Sequence, residues 1–268
     1  MTREFRRYVR LLLFGLFTGA VFVRMLVVHG LHAGNDAARR RSLGRSFQTW
    51  ARGMARILPL RFHVHGIPPQ GTFYLVANHL SYLDAITLGG FAPASFVIRS
   101  DIRGWPIFGK LTRAAGLVFV NRENRRDLPR AIGELGEVLD SGIGAILFPE
   151  GTSSDGRQVL PFHPSLLEAP CRRGMPVVCA ALAYTLPEDD EDPADAVCWW
   201  GDMELTPHLP DLFALRRIDV HIEFLAPLEP SPQRHEAARK TEAAIADALA
   251  RLHAATTPDG TRSGAARG

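Results

Sequence analysis

His79 stands five residues ahead of Asp84, directly after the apolar run 73–77. A histidine with a carboxylate one helical turn away can work as a general base. The carboxylate orients the ring, fixes its tautomer and stabilises the imidazolium that forms. The same residues admit a plainer reading. Ser81-x-x-Asp84 fits a helix N-terminal capping box, which would leave His79 an ordinary loop residue. A second stretch is built alike: the apolar run 143–148 leads into Pro149-Glu150-Gly151-Thr152-Ser153-Ser154-Asp155-Gly156. Two strands that each end in a polar, chemically capable loop suggest one shared sheet edge, where α/β proteins place their sites. In the second loop Glu150 offers a carboxylate to hydroxyl groups, and Gly151 lets the backbone approach a ligand closely.

His-x4-Asp at 79–84 and Phe-Pro-Glu-Gly-Thr at 148–152, in this order and some 70 residues apart, together resemble the glycerolipid acyltransferases. The resemblance covers roughly residues 60–225. Gly104-Trp-Pro-Ile-Phe-Gly109 and the run 116–122 look like the family's second block, which usually ends in Asp-Arg and here ends in Asn121-Arg122. The proline-led run 176–183 looks like its fourth. In the third block Ser153 stands where the family commonly has arginine. The form Phe-Pro-Glu-Gly-Thr-Ser-Ser-Asp-Gly, with Trp200-Gly201-Asp202-Met203 further on, looks closer to the lyso-ornithine lipid branch.

The resemblance implies a fold, a reaction and a set of roles. The fold is a mixed α/β sheet flanked by helices, like glycerol-3-phosphate acyltransferase, with an N-terminal membrane-associated helical segment. The reaction moves a fatty acyl group from a coenzyme A or acyl carrier protein thioester to the hydroxyl of a lysolipid. Lysophosphatidic acid is the standard acceptor and lyso-ornithine lipid the alternative. His79 and Asp84 would be catalytic; Glu150, Gly151, Thr152 and Arg122 would shape the acceptor site. Arg99 ends another apolar run and could join them as an anion anchor, with an ordinary surface arginine as the competing reading. Co-substrate thioester apart, no cofactor and no metal are expected. A protein that binds membrane lipid without turnover is the rival of a different class. Retention of His79, Asp84 and Glu150 together argues against it. A serine hydrolase would need Gly-x-Ser-x-Gly, which is absent.

The remaining sequence bears on where this chemistry happens. Net charge is only +3, yet residues 1–56 hold eleven arginines against Glu4 and Asp36, a local +9 beside the apolar stretch 9–28. Basic charge next to an apolar segment favours an anionic membrane surface over nucleic acid. The apolar stretch is long enough to span a bilayer but is interrupted by Arg10, Thr18 and Arg24. Flanking arginines on both sides fit a helix seated in one leaflet, paired with the amphipathic stretch 43–58, better than an oriented span. No small-x-small cleavage site follows Val23, against a cleaved signal peptide. The segment is expected to be an anchor separable from the catalytic fold, with the active site at the cytoplasmic face of the inner or plasma membrane. Cys171, Cys179 and Cys198 lack metal spacing and read as reduced and structural. His163 and His221 have no evident partner and read as structural too. Alternating strand and helix patterns over 59–254 predict an α/β domain, which the resemblance makes the acyltransferase domain, following membrane-associated helices over 1–58. Residues 255–268 are polar and expected to be disordered.

Overall fold

A computed structural model describes residues 2–106, 108–121, 124–187 and 191–256. Arg122 and the tail beyond Thr256 lie outside the described residues. Two long helices come first, α1 (Arg3–Leu31) and α2 (Asp36–Ile57), then β1 (Leu60–His65), β2 (Tyr74–Ala77) and α3 (Leu83–Gly89). Next are β3 (Ala94–Arg99), α4 (Phe108–Ala114), β4 (Val118–Val120), α5 (Leu128–Asp140) and β5 (Gly144–Leu147). Then come α6 (Glu168–Arg172), β6 (Val177–Thr185), α7 (Pro193–Ala196), α8 (Leu205–Ala214), β7 (Ile218–Phe224) and α9 (Arg234–Thr256).

The strands form one sheet in the order β1-β7-β6-β2-β5-β3-β4, parallel throughout except for the antiparallel pair β6 and β7. This is the expected mixed sheet. The central strands are apolar because both faces are covered. Leu75 and Ala77 of β2 face the core shared with α1, α2, α3 and α8, while Tyr74 and Val76 face the core under α5 and α9. β2 and β5 are direct neighbours, so the two motif loops leave the same sheet edge side by side.

Several helices differ from the sequence reading for local reasons. α3 starts at Leu83 rather than Ser81, because residues 78–82 are spent building the loop around Asp84. α4 follows a 3-10 turn over Ser100–Gly104 and Pro106. α8 carries Pro207 and Pro210, which obscured its helical period.

The N-terminal hairpin is packed against the α/β body. Trp50 Nε1 of α2 donates to Thr18 Oγ1 of α1 at 3.0 Å, and a Cβ at Gly53 would meet the Phe17 ring. Val21, Met25 and Val28 of α1 are buried in the main core. The arginines expected to form a membrane-facing basic surface are partly turned inward. Arg6 and Arg10 donate to the backbone carbonyls of Ala214, Phe213 and Leu215 at the end of α8, where a helix leaves its carbonyls unsatisfied. Arg24 donates to Ser46 Oγ and Arg52 to Gly90 O. At the other end of α1, His29 Nε2 lies 3.0 Å from Ala114 O. The opposite side of α1 remains bare and apolar, with Leu12, Leu16, Val23 and Val27 more than half exposed.

Candidate active site

β2 delivers Asn78, whose side chain grips the backbone of Leu182 on β6 in both directions, at 2.9 and 2.8 Å. This clamp extends the strand pairing by one residue and fixes where the His79 loop departs. Asp84 sits at the start of α3 with no exposed surface and gathers the loop around itself. Its Oδ2 accepts from His79 Nδ1 at 2.7 Å and from the backbone N–H groups of Leu80 and Ser81 at 2.7 and 3.0 Å. Its Oδ1 accepts from Tyr184 Oη at 2.7 Å, and Thr87 Oγ1 lies 3.3 Å from that hydroxyl. Facing a carboxylate, Nδ1 must carry the proton, which leaves Nε2 as the basic nitrogen. The capping box is half made: Asp84 accepts from the Ser81 N–H, but Ser81 Oγ is buried without a hydrogen-bond partner among the described residues. Asp84 is the residue that satisfies the backbone, and it orients His79 at the same time.

The second loop holds His79 from the other side. The His79 N–H donates to Glu150 Oε1 at 3.1 Å, and His79 O accepts from the Ser154 N–H at 2.9 Å. Phe148 stacks on the imidazole with centroids 4.3 Å apart. Gly151 has φ of 81°, a left-handed backbone that turns the chain sharply after the strand. Glu150 is 3% exposed, and its carboxylate faces the backbone N–H of Leu160 as well as that of His79. Burial pushes its pKa up to about 8, with the nearby Asp84 charge adding to the rise and the His79 N–H opposing it. Two carboxyl groups in one site thus differ in setting: Asp84 has four donors, whereas Glu150 is placed to hold a proton at neutral pH.

His79 opens onto a cavity of about 360 Å³. Its walls come from α1 and α2 (Phe14, Met25, Phe47, Met54), from Phe96 and Ile98 of β3, and from Trp105, Phe108, Leu209 and Phe213. Apolar side chains dominate; His79, Ser81, Tyr82, Gly151, Thr152, Ser153 and Trp199 mark the motif end, and Thr18, Arg99 and Thr112 are further polar residues of the wall. A smaller cavity of about 180 Å³ lies across Phe148 and Pro149, lined by Asn121, Asn124, His163 and Ser165 among others.

The residues singled out from sequence are thus placed unevenly. His79, Gly151 and Thr152 line the main cavity. Glu150 lines neither cavity and instead braces the His79 loop, so its expected contact with acceptor hydroxyls has no surface here. Arg99 stands in the cavity wall with its guanidinium on the Asp101 carboxylate at 3.1–3.2 Å. Arg122 lies outside the described residues. His163 lines the smaller cavity, and His221 stacks on His63 and reaches Thr185 Oγ1, away from the motif loops. All three cysteines are free, and burial pushes the Cys179 thiol up to about 12. Sequence reasoning missed Tyr184, Asn78 and Trp199. For Tyr184 the one available signal was a hydroxyl inside an otherwise apolar strand.

A sheet edge presenting an oriented histidine to an apolar cavity suits general-base chemistry on a substrate with an apolar part. A profile of the family described as "Acyltransferase" matches residues 61–183. The chain is 37% identical to the lyso-ornithine lipid O-acyltransferase of Rhodobacter capsulatus over 196 residues, 70% of each chain. It is 34% identical to the enzyme of that name from Rhizobium meliloti, over 81% of this chain and 77% of the other. It is 29% identical to the 1-acyl-sn-glycerol-3-phosphate acyltransferase of Neisseria meningitidis, over 79% and 84%. The fold is that of the crystal structure of a 1-acyl-sn-glycerophosphate acyltransferase from Thermotoga maritima, with TM-score 0.67 and 20% identity over 98% of this chain and all of the other. The chain belongs to the acyltransferase family and is an acyltransferase.

Proposed function

We propose that the protein transfers a fatty acyl group from a coenzyme A or acyl carrier protein thioester to the free hydroxyl of a lysolipid at a membrane surface, with lyso-ornithine lipid as preferred acceptor. The observation that carries the reading is His79 Nδ1 bonded to the buried Asp84 while His79 lines a largely apolar cavity. The acceptor hydroxyl gives its proton to Nε2 as its oxygen attacks the thioester carbonyl. The tetrahedral intermediate collapses with cleavage of the C–S bond. The departing thiolate takes back the proton, so imidazole is restored and no acyl group rests on the enzyme. Asp84 stabilises the imidazolium, and Tyr184 with two backbone N–H groups keeps Asp84 supplied with donors. The cavity shelters the acyl chain from water.

The preference for lyso-ornithine lipid rests on Ser153 in place of arginine and on the names of the relatives at 34–37% identity. Placement in one leaflet rests on α1: it has a bare apolar side, yet both its ends are fastened to the α/β body. A helix tied at both ends lies along the surface rather than crossing the bilayer. The cytoplasmic face follows from where acyl thioesters are made. The test is steady-state transfer by detergent-purified protein from acyl-coenzyme A and acyl carrier protein to N-(3-hydroxyacyl)ornithine and to 1-acylglycerol 3-phosphate. A higher kcat/KM for the ornithine acceptor supports the reading. Preference for the glycerophosphate overturns the choice of acceptor, and no transfer to either overturns the function.

A further inference from the structure

Among the described residues that line the main cavity, only Arg99, Trp105, Phe108 and Thr152 are exposed. The mouth therefore lies between the Phe-Pro-Glu-Gly-Thr loop, which brings Thr152, and the segment 99–113, which brings the other three. That segment carries four exposed cations, Arg99, Arg103, Lys110 and Arg113, against a single acid, Asp101. Arg99 is bonded to Asp101. Arg103 lies over the Phe119 ring at 4.3 Å, and Asp127, whose charge it feels, is held by Arg130. On α4, Leu111 and Thr112 turn to the cavity while Lys110 and Arg113 are left to solvent. Neither of these two cations bonds a carboxylate among the described residues; Arg113 Nε donates to Gly109 O at 2.9 Å. Between the cations Trp105 and Phe108 pack edge to face with centroids 6.3 Å apart, each ring residue 36% exposed.

We propose that the segment 99–113 is the docking surface for an acidic acyl carrier protein, which delivers its acyl chain through the adjoining mouth. The inference rests on the acyl-transfer reading above and deepens it by naming the donor. A thioester whose chain fills the cavity leaves its carrier outside, so the rim of the mouth is the surface the carrier meets. Cations without carboxylates of their own set up a positive potential there, which draws in an acidic partner and orients it. Exposed rings set among arginines are also the composition of a protein interface. The cations are held apart by different neighbours, Asp101, the Phe119 ring and the Gly109 carbonyl, and do not converge on one point. That spread suits the broad face of an acidic protein better than the clustered phosphates of coenzyme A. It suits a lipid surface less, because two rings each 36% exposed offer little to immerse, whereas α1 presents a whole bare side.

The experiment measures kcat and KM for one acyl chain on three donors: acyl carrier protein, coenzyme A, and pantetheine, which has neither protein nor phosphate. Lys110→Glu combined with Arg113→Glu reverses two exposed charges that do not line the cavity. KM for the acyl carrier protein is expected to rise about tenfold relative to KM for acyl-pantetheine, and the difference to shrink below about twofold near 1 M salt. The neutral pair Lys110→Gln with Arg113→Gln, a milder change should the reversal fail to fold, is expected to give about a threefold rise. An equal rise for coenzyme A would make this a phosphate site, and weaker flotation with anionic vesicles at unchanged donor KM values would make it a lipid contact; either overturns the proposal. So does an unchanged KM for the carrier protein, or a wild type that accepts coenzyme A alone. If wild type uses no donor at all, the acyl-transfer reading fails, and the surface is decided by direct binding of labelled acyl carrier protein to wild type and variant.

Discussion

Replacing Glu150 by glutamine isolates the protonation state of the buried acid. Glutamine is the neutral isostere: it keeps an oxygen for the His79 N–H and removes the ionisable group. The native pKa is about 8 against an ordinary 4.5, chiefly through burial. Below pH 4.5 both the folded and the unfolded chain hold this proton, and the group does not tilt the folding balance. As pH rises towards 8 the unfolded chain releases the proton and the folded one keeps it, so stability falls by about 1.4 kcal/mol per pH unit for this group. The loss levels off above pH 8, at no more than about 5 kcal/mol. Urea unfolding in detergent micelles, followed by tryptophan fluorescence from pH 4.5 to 9, reads this directly. Wild type and Glu150→Gln should coincide near pH 4.5, diverge in favour of glutamine up to pH 8 and run parallel beyond. Acyl transfer by the glutamine variant should stay within about tenfold of wild type at pH 7, since the proton it mimics is already present. Parallel unfolding curves across the whole range would refute the reasoning, as would near-complete loss of turnover at pH 7.

His79→Ala should lower kcat by about 10²–10⁴-fold while the protein still folds, and turnover within about tenfold of wild type would remove it as the base. Asp84→Asn should be slow with acceptor KM largely retained, because it disturbs the orientation of the ring and not the cavity; a rise in KM that accounts for the whole loss would argue otherwise. Tyr184→Phe leaves Asp84 Oδ1 without its hydroxyl donor and should cost about 1.5–3 kcal/mol in urea unfolding, with a fall in kcat. Leu12→Glu combined with Leu16→Glu changes only the bare side of α1 and should weaken flotation with anionic vesicles at least a hundredfold; undiminished flotation would point to another membrane contact.

The parts of this architecture that could be read from sequence are those where chemistry and local pattern coincide. The apolar runs at β2 and β5 give strands, and the loops after them carry His79, Asp84 and Glu150. What escaped depends on distance in the chain or on solvation. Tyr184 lies 100 residues from Asp84, in a strand that reads as plain core. Glu150 is a carboxyl in a polar loop by sequence, but only the packed structure shows that it is cut off from solvent and cavity alike. Arg99 ends its strand as expected, yet its guanidinium is taken up by Asp101, two residues on. The N-terminal arginines counted as a basic patch, although several serve as hydrogen-bond donors to α8 and α3.

The strand order has a consequence for how such an enzyme can change. β5 returns to lie directly against β2, and everything between α3 and β5 is laid down at one margin of the sheet as β3, α4, β4 and α5. That excursion supplies Phe96, Ile98, Ile102, Trp105, Phe108 and Leu117 to the cavity wall, but neither member of the His79–Asp84 pair. Lengthening, shortening or repacking it would alter how much hydrocarbon the cavity accepts while the β2–β5 seam, and the reaction at its end, stayed in register. The bond-making pair and this part of the cavity wall lie in different stretches of the polypeptide. Selection can move the second without reopening the first.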